Sequence, residues 1–337
     1  MNAPSALPVL QPAKPSNPRD LWHGPRRPFR LIVALFGLIW ISNAGFQFYA
    51  WLGRPGGQGS RNLIRAFVKP AAGAPFWLKP YILAVAHGVE RIGPEKIAVV
   101  MIVIAALIGL SLLFRIGVAF AAWLGIAYCF LCWTSLNALG YPYAGGQTDP
   151  GVFVPYMISF VFILSVLPVL KETQPGMARF PNRLWNVARI LFGLLWAFDA
   201  ALKWQPGFLF HFLSQMTSVL PGQPRWIAAY LGFVIVVVRA VGPLLVATGT
   251  ALIESLIALS LLTGRALRLF IPLGFLWSLS VWSTAEAFGG PYTSAGTGVR
   301  GNVIGNVFIY AIIFTLLWAS LGIRNQKRKA NQSADAV

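Results

Sequence analysis

The chain has 337 residues, of which 57% are hydrophobic and only 11% charged, against roughly a quarter charged in a soluble domain. That balance excludes a disordered chain, a coiled coil and an ordinary cytosolic enzyme, and about 192 apolar positions suffice for eight membrane spans of about 20 residues each. A net charge of +18 would suggest nucleic acid in a soluble protein. Here the basic residues lie between and beyond apolar runs, where they orient membrane helices, so the partner is the lipid bilayer and nucleic acid is excluded.

In chain order, residues 1–27 are proline-rich and lack the apolar core of a signal peptide, so they read as a disordered cytoplasmic tail. Apolar runs at 29–52, 96–114, 116–136 and 152–170 predict four helices within a first unit, 28–172. A cytoplasmic linker, 173–183, leads to a second unit, 184–320, with runs at 184–204, 240–263, 266–286 and 302–320. Residues 321–337 read as a disordered basic tail carrying Arg324, Lys327, Arg328 and Lys329. The N-terminal tail, Arg115, the linker region with Lys171, Arg179 and Arg183, the turn with Arg265 and Arg268, and the C-terminal tail fall on one side. The positive-inside rule makes that side cytoplasmic, which places a multi-pass protein in the cell inner membrane with both termini inside. The long segments 53–95 and 205–239 then lie outside.

An internal repeat organises these helices. Trp133–Tyr143 (WTSLNALGYPY) matches Trp282–Tyr292 (WSTAEAFGGPY) at an offset of 149. The same offset pairs Gly93-Pro94 with Gly242-Pro243, and Pro75, Trp77 and Tyr81 with Pro224, Trp226 and Tyr230. Ala34–Trp40 (ALFGLIW) matches Ile190–Trp196 (ILFGLLW) at an offset of 156. The predicted fold is therefore all-α, about eight transmembrane helices in two tandem four-helix copies, parallel because each copy has an even number of spans.

The copies differ in charge. Asn43 corresponds to Asp199, Gln47 to Lys203, Ala105 to Glu254, Asn137 to Glu286 and Gly151 to Arg300. An ionisable group within a span costs at least about 2.5 kcal/mol, so it persists where it is paired or used. Asp199 and Lys203, at i and i+4, face the same way. They form either a self-neutralising ion pair or a fixed positive charge near an external pocket, with Asp199 orienting it. Glu254 lies well inside its span, as a hydrogen-bond anchor between helices or as a functional carboxylate. Glu286 and Arg300 flank the last external loop, Gly289–Gly301 (GGPYTSAGTGVRG), and can pair across it; the loop mirrors Gly140–Gly151. That loop is either a plain turn or an anion-binding concavity, its glycines leaving backbone N–H groups free and Arg300 adding charge at a helix start. Candidate catalytic residues are thus Asp199, Glu254 and Glu286. Candidate substrate-binding residues are Lys203, Arg239, Tyr292, Gly296, Gly298 and Arg300.

Cys129 and Cys132 would share a helix face, but the second copy has Ser278 and Val281 there, which favours packing over metal or redox use. The three histidines form no ligand cluster, and no nucleotide or haem motif occurs, so no bound metal or nucleotide is expected. Trp-rich helix ends (Trp40, Trp51, Trp77, Trp226) suit interfacial belts, or the walls of a quinone cleft.

The segments ARILFGLLWAFDAALKW (188–204), ALIESLIALSLLTG (251–264) and EAFGGPYTSAGTGVRGNVIG (286–305), with PYAGGQTDPG (142–151), resemble the DoxX/DoxD membrane family over about 28–320. The DoxD branch is the small membrane subunit of thiosulfate:quinone oxidoreductase. The resemblance implies oxidation of thiosulfate outside the membrane with membrane quinone as electron acceptor, and a soluble partner subunit. It matches Glu254 to the acidic residue of the family's second helix and Lys203 to the basic residue closing the first, with Arg300 and the glycine loop on the oxyanion side. The first copy lacks these charges. The residues themselves also admit a transporter or channel for a small anion, or an accessory scaffold whose charges are structural pairs.

Overall fold

The computed structural model describes residues 26–53, 58–140, 149–171, 182–289 and 304–334. Among them the chain is helical throughout, with no strand. The first half contains α1 (Arg26–Trp51), α2 (Gln58–Val68), α3 (Lys79–Ile92), α4 (Pro94–Phe114), α5 (Val118–Ser135) and α6 (Phe153–Lys171). The second contains α7 (Asn182–Lys203), the short α8 (Pro206–Leu209) and α9 (Phe212–Ser218), then α10 (Arg225–Val241), α11 (Pro243–Thr263), α12 (Leu267–Thr284) and α13 (Asn306–Ala334). Seven of these, α1, α4, α5, α7, α11, α12 and α13, are long and apolar enough to cross a membrane; α6 is a shorter apolar helix. The chain is a multi-pass membrane protein whose outward faces carry Phe120, Trp123, Leu245, Leu269 and Leu276, each more than 60% exposed, as a lipid-facing surface requires.

Local sequence sets the helix ends. Gly93 (φ 107°) and Gly242 (φ 108°) take backbone angles closed to other residues, and the prolines that follow them begin α4 and α11, where proline's fixed φ and missing N–H cost nothing. α4 packs along α1, and α11 along α7. Small residues bring the backbones together, as membrane helix pairs require. A Cβ on Gly37 would lie 2.7 Å from the Gly109 carbonyl, and one on Gly193 would lie 3.0 Å from the Leu262 nitrogen. The halves join through α6 with α7, and through α13 with α6 and α1, around one apolar core.

The two segments expected to lie outside are more ordered than loops. α2 and α3 fill much of 53–95, and α8, α9 and α10 much of 205–239. Helix α3 is tied to α5 by Tyr81 Oη to Thr134 Oγ1 at 2.9 Å, and α10 to α12 by Tyr230 Oη to Ser283 Oγ at 3.0 Å. The expected C-terminal tail is corrected. Helix α13 continues to Ala334, past the end of the apolar run, because Arg324–Ala334 contains no Gly or Pro to stop it. Helix α1 starts at Arg26, inside the expected N-terminal tail. The rest of that tail and residues 172–181 of the linker region lie outside the described residues.

In both halves an aromatic ring lies on a glycine, Phe160 on Gly125 and Phe314 on Gly274. Gly274→Ala pushes a methyl into the Phe314 ring and is expected to destabilise the protein by about 1–3 kcal/mol. Gly249→Ala, on a helix face with nothing within 4 Å, should be neutral or stabilising, since alanine is the better helix former. Thermal unfolding of the two variants in detergent checks the contrast.

Candidate functional site

The last turns of α7 carry Asp199 and Lys203, the middle of α11 carries Glu254, α12 carries Trp277 and the first turns of α13 carry Tyr310. Packing of α7 against α11 brings Lys203 Nζ to 2.6 Å from Glu254 Oε2. Trp277 Nε1 donates to Glu254 Oε1 at 3.2 Å, and Tyr310 Oη donates to Asp199 Oδ2 at 2.8 Å. Asp199, Lys203, Glu254 and Tyr310 are buried, Glu254 and Tyr310 being only 1% exposed, and Trp277 is half-buried. Trp196 packs edge-on against Tyr310 at 5.4 Å between ring centroids, and the Phe208 ring lies 6.0 Å from the Lys203 ammonium.

Two carboxylates thus share one ammonium in an apolar interior, where an uncompensated charge is costly. Asp199 Oδ1 and Trp196 Nε1 are buried with no hydrogen-bond partner among the described residues. Such orphans mark places where a proton, a water or a ligand atom completes the structure. The first half holds an uncharged counterpart. Asn43 Nδ2 donates to Tyr156 Oη at 2.8 Å, and Gln47 Nε2 reaches Tyr128 Oη at 3.4 Å. Trp40 packs on Tyr156 at 5.4 Å, as Trp196 does on Tyr310. These residues and Cys129 line a cavity of about 10 Å³, room for a single water. Ala105 is fully buried at the position of Glu254. Cys129 and Cys132 are both free and buried.

The expected residues are only partly brought together. Lys203, Asp199 and Glu254 form the cluster, but the closest partner of Lys203 is Glu254 on another helix, not Asp199 on its own. Arg239 is exposed in the last turn of α10 and touches none of them. Tyr292, Gly296, Gly298 and Arg300, with the expected Glu286–Arg300 pairing, lie outside the described residues. Glu286 caps α13, accepting the Asn306 N–H at 2.8 Å and the Val307 N–H at 3.1 Å. The Asn306 amide in turn donates to Asp149 Oδ1 at 3.1 Å, joining the two halves. Burial, and then the nearby charge of Asp149, push the Glu286 carboxyl up to about 8, while the two backbone N–H groups pull it the other way.

Sequence reasoning missed Tyr310, Trp277 and their first-half counterparts Tyr156 and Tyr128. A signal was present: VPYMISF (154–160) and FIYAIIF (308–314) both place a tyrosine four residues before a phenylalanine. Comparisons with protein-family models, curated proteins and solved structures find no match to this chain.

Proposed function

We propose that the chain is the membrane subunit of a quinone-linked oxidoreductase that takes electrons from thiosulfate or a related small sulfur oxyanion, as a protein of the DoxX/DoxD type. In this reading it is two tandem parallel four-helix units in the cell inner membrane, with both termini cytoplasmic and a soluble partner subunit. The repeat is supported by contacts that recur at matching positions: Tyr81–Thr134 with Tyr230–Ser283, and Asn43–Tyr156 with Asp199–Tyr310.

The observation that carries the functional reading is the buried set Asp199, Lys203, Glu254 and Tyr310. Joining two thiosulfates through a sulfur–sulfur bond releases two electrons and no protons. Reducing a quinone to a quinol consumes two electrons and two protons. A membrane subunit coupling them has to carry protons into an apolar region, and a carboxylate in excess of its counter-cation can hold one there. Asp199 is that carboxylate, with Tyr310 as its hydroxyl partner. An apolar cavity of about 470 Å³ lies where the starts of α1 and α12 meet α13. Its wall includes Phe314, one turn from Tyr310 and packed on Trp196. Its size and lining suit a quinone ring. Because Glu254 neutralises Lys203, recognition of the oxyanion falls to the external loop with Arg300, Tyr292, Gly296 and Gly298.

The test is thiosulfate-dependent reduction of a water-soluble quinone analogue by membranes containing the chain and its soluble partner. Asp199→Asn keeps an acceptor for Tyr310 but holds no proton, and should lower the rate about 10²-fold or more, the usual weight of a positioned proton-transfer group. A rate no higher than in membranes lacking the chain overturns the proposal. Uptake of labelled thiosulfate into vesicles without quinone reduction would replace it with an anion transporter.

A further inference from the structure

The opposite end of the first half holds a second built cavity. It lies between the start of α1, the α4–α5 turn and the end of α6, and encloses about 560 Å³. Arg30 and Arg115 stand at it, over walls that include Phe29, Val33, Ile163 and Leu167. Neither arginine has a carboxylate partner among the described residues, where the ion pair found is Lys203–Glu254. None of the described acidic residues lines the cavity.

Arg115 is placed there at a conformational cost. It caps α4 in the left-handed region, φ 61° and ψ 30°, which a residue with a Cβ adopts reluctantly. The matching cap of α11 is Gly264, φ 72°, the residue that fits best. In the second half a guanidinium arrives from elsewhere. Arg189 of α7 sits 3.2 Å from where a Gly264 Cβ would lie, and spends its hydrogen bonds on the carbonyls of Leu261 and Leu262. The first-half counterpart of Arg189 is Val33, a wall of the cavity. So where the second half uses its arginine to cap a helix, the first half strains its backbone to present one, exposed, beside Arg30 and an apolar trough.

We propose that this cavity binds one acidic phospholipid of the adjoining leaflet, its phosphate held by Arg30 and Arg115 and an acyl chain laid along Phe29, Val33, Ile163 and Leu167. Paired guanidiniums over an apolar trough complement a phosphate carried on a hydrocarbon chain. This end of the helices is also the basic one, with Arg183, Arg265, Arg268 and Arg324 on the neighbouring turns, and it faces the anionic leaflet in the orientation the basic residues dictate.

Native mass spectrometry of the full chain in micelles containing equal phosphatidylglycerol and phosphatidylcholine tests the site. One phosphatidylglycerol should be retained in preference to phosphatidylcholine by about tenfold or more, the scale set by two basic side chains near a headgroup. Arg30→Gln with Arg115→Gly should bring the two lipids to parity. Arg115→Gly installs the residue the second half already has there, so the thermal midpoint should hold or rise while the preference falls. Arg265→Gln with Arg268→Gln should leave the preference intact. The proposal is overturned if the wild type shows no preference, if the Arg30/Arg115 variant keeps it, or if the Arg265/Arg268 variant loses it equally. Displacement of the lipid by millimolar inorganic phosphate would also overturn it, making this a site for a free anion.

Discussion

Lys203→Met is expected to destabilise the folded chain by about 3–5 kcal/mol, because it leaves Asp199 and Glu254 buried without a counter-cation. Glu254→Gln should cost distinctly less. Lys203 lies four residues after Asp199 on the same helix face, so when Glu254 is neutralised the ammonium keeps a carboxylate within reach. Trp277 also keeps an oxygen to donate to, since glutamine retains one at the position of Glu254 Oε1. The double change Lys203→Met with Glu254→Met removes both members of the closest pair. It leaves one buried carboxylate, Asp199, with the Tyr310 hydroxyl as its donor, and should recover most of the loss. Chemical unfolding of the detergent-solubilised chain orders the three variants. Equal losses for the two single changes would mean that Asp199 gives Lys203 no second partner. A double variant as unstable as Lys203→Met would mean that the cost lies in lost packing, not in unpaired charge.

Much of the scaffold behind that pair was legible because membrane helices are written in long apolar runs. Each of the eight runs corresponds to a helix, although the run expected at 240–263 is broken at the Gly242-Pro243 step, where α11 starts. The residues of the cluster stood out because comparison of the two halves separates Asp199, Lys203 and Glu254 from Asn43, Gln47 and Ala105 at the same positions. Their pairing was not legible. Periodicity puts Lys203 on the same face as Asp199, but the depth and rotation of α11 against α7, set by the close approach at Gly193, put Glu254 nearer still. Tyr310 and Trp277 escaped notice for a related reason. Aromatic residues in an apolar span read as core or as interfacial belt, and only the packed helices show which of them turns a hydroxyl or an N–H toward a carboxylate. Helices α3 and α10 escaped because they fall short of membrane length, although α10 is largely apolar over its 17 residues.

Glu286 was expected to face an arginine across the last loop, and its position as the cap of α13 changes what pH should do to the protein. Its carboxyl sits at about 8 in the folded chain against an ordinary value of 4.5, so folding takes up a proton between those values. The contribution of this group to stability is therefore full below about pH 4.5 and is lost as pH rises through 8. The side chain is only partly buried, so the loss across the window should be about 2 kcal/mol, less than the full shift at ~1.4 kcal/mol per unit would give. Removing the titrating group should flatten the profile. Glu286→Gln is expected to be nearly independent of pH between 5 and 9, to lie below the wild type at low pH through its weaker cap, and to close the gap as pH rises. Asp149→Asn should act on the same profile from the other half of the chain. Removing its negative charge lowers the Glu286 carboxyl toward the ordinary range and so moves the loss to lower pH. Thermal midpoints of the three proteins across that window give the comparison. A wild-type profile that rises with pH would show that the two backbone N–H groups, not burial and Asp149, dominate at the cap. An unchanged profile in Asp149→Asn would separate Asp149 from Glu286 electrostatically, despite the Asn306 residue that bridges them.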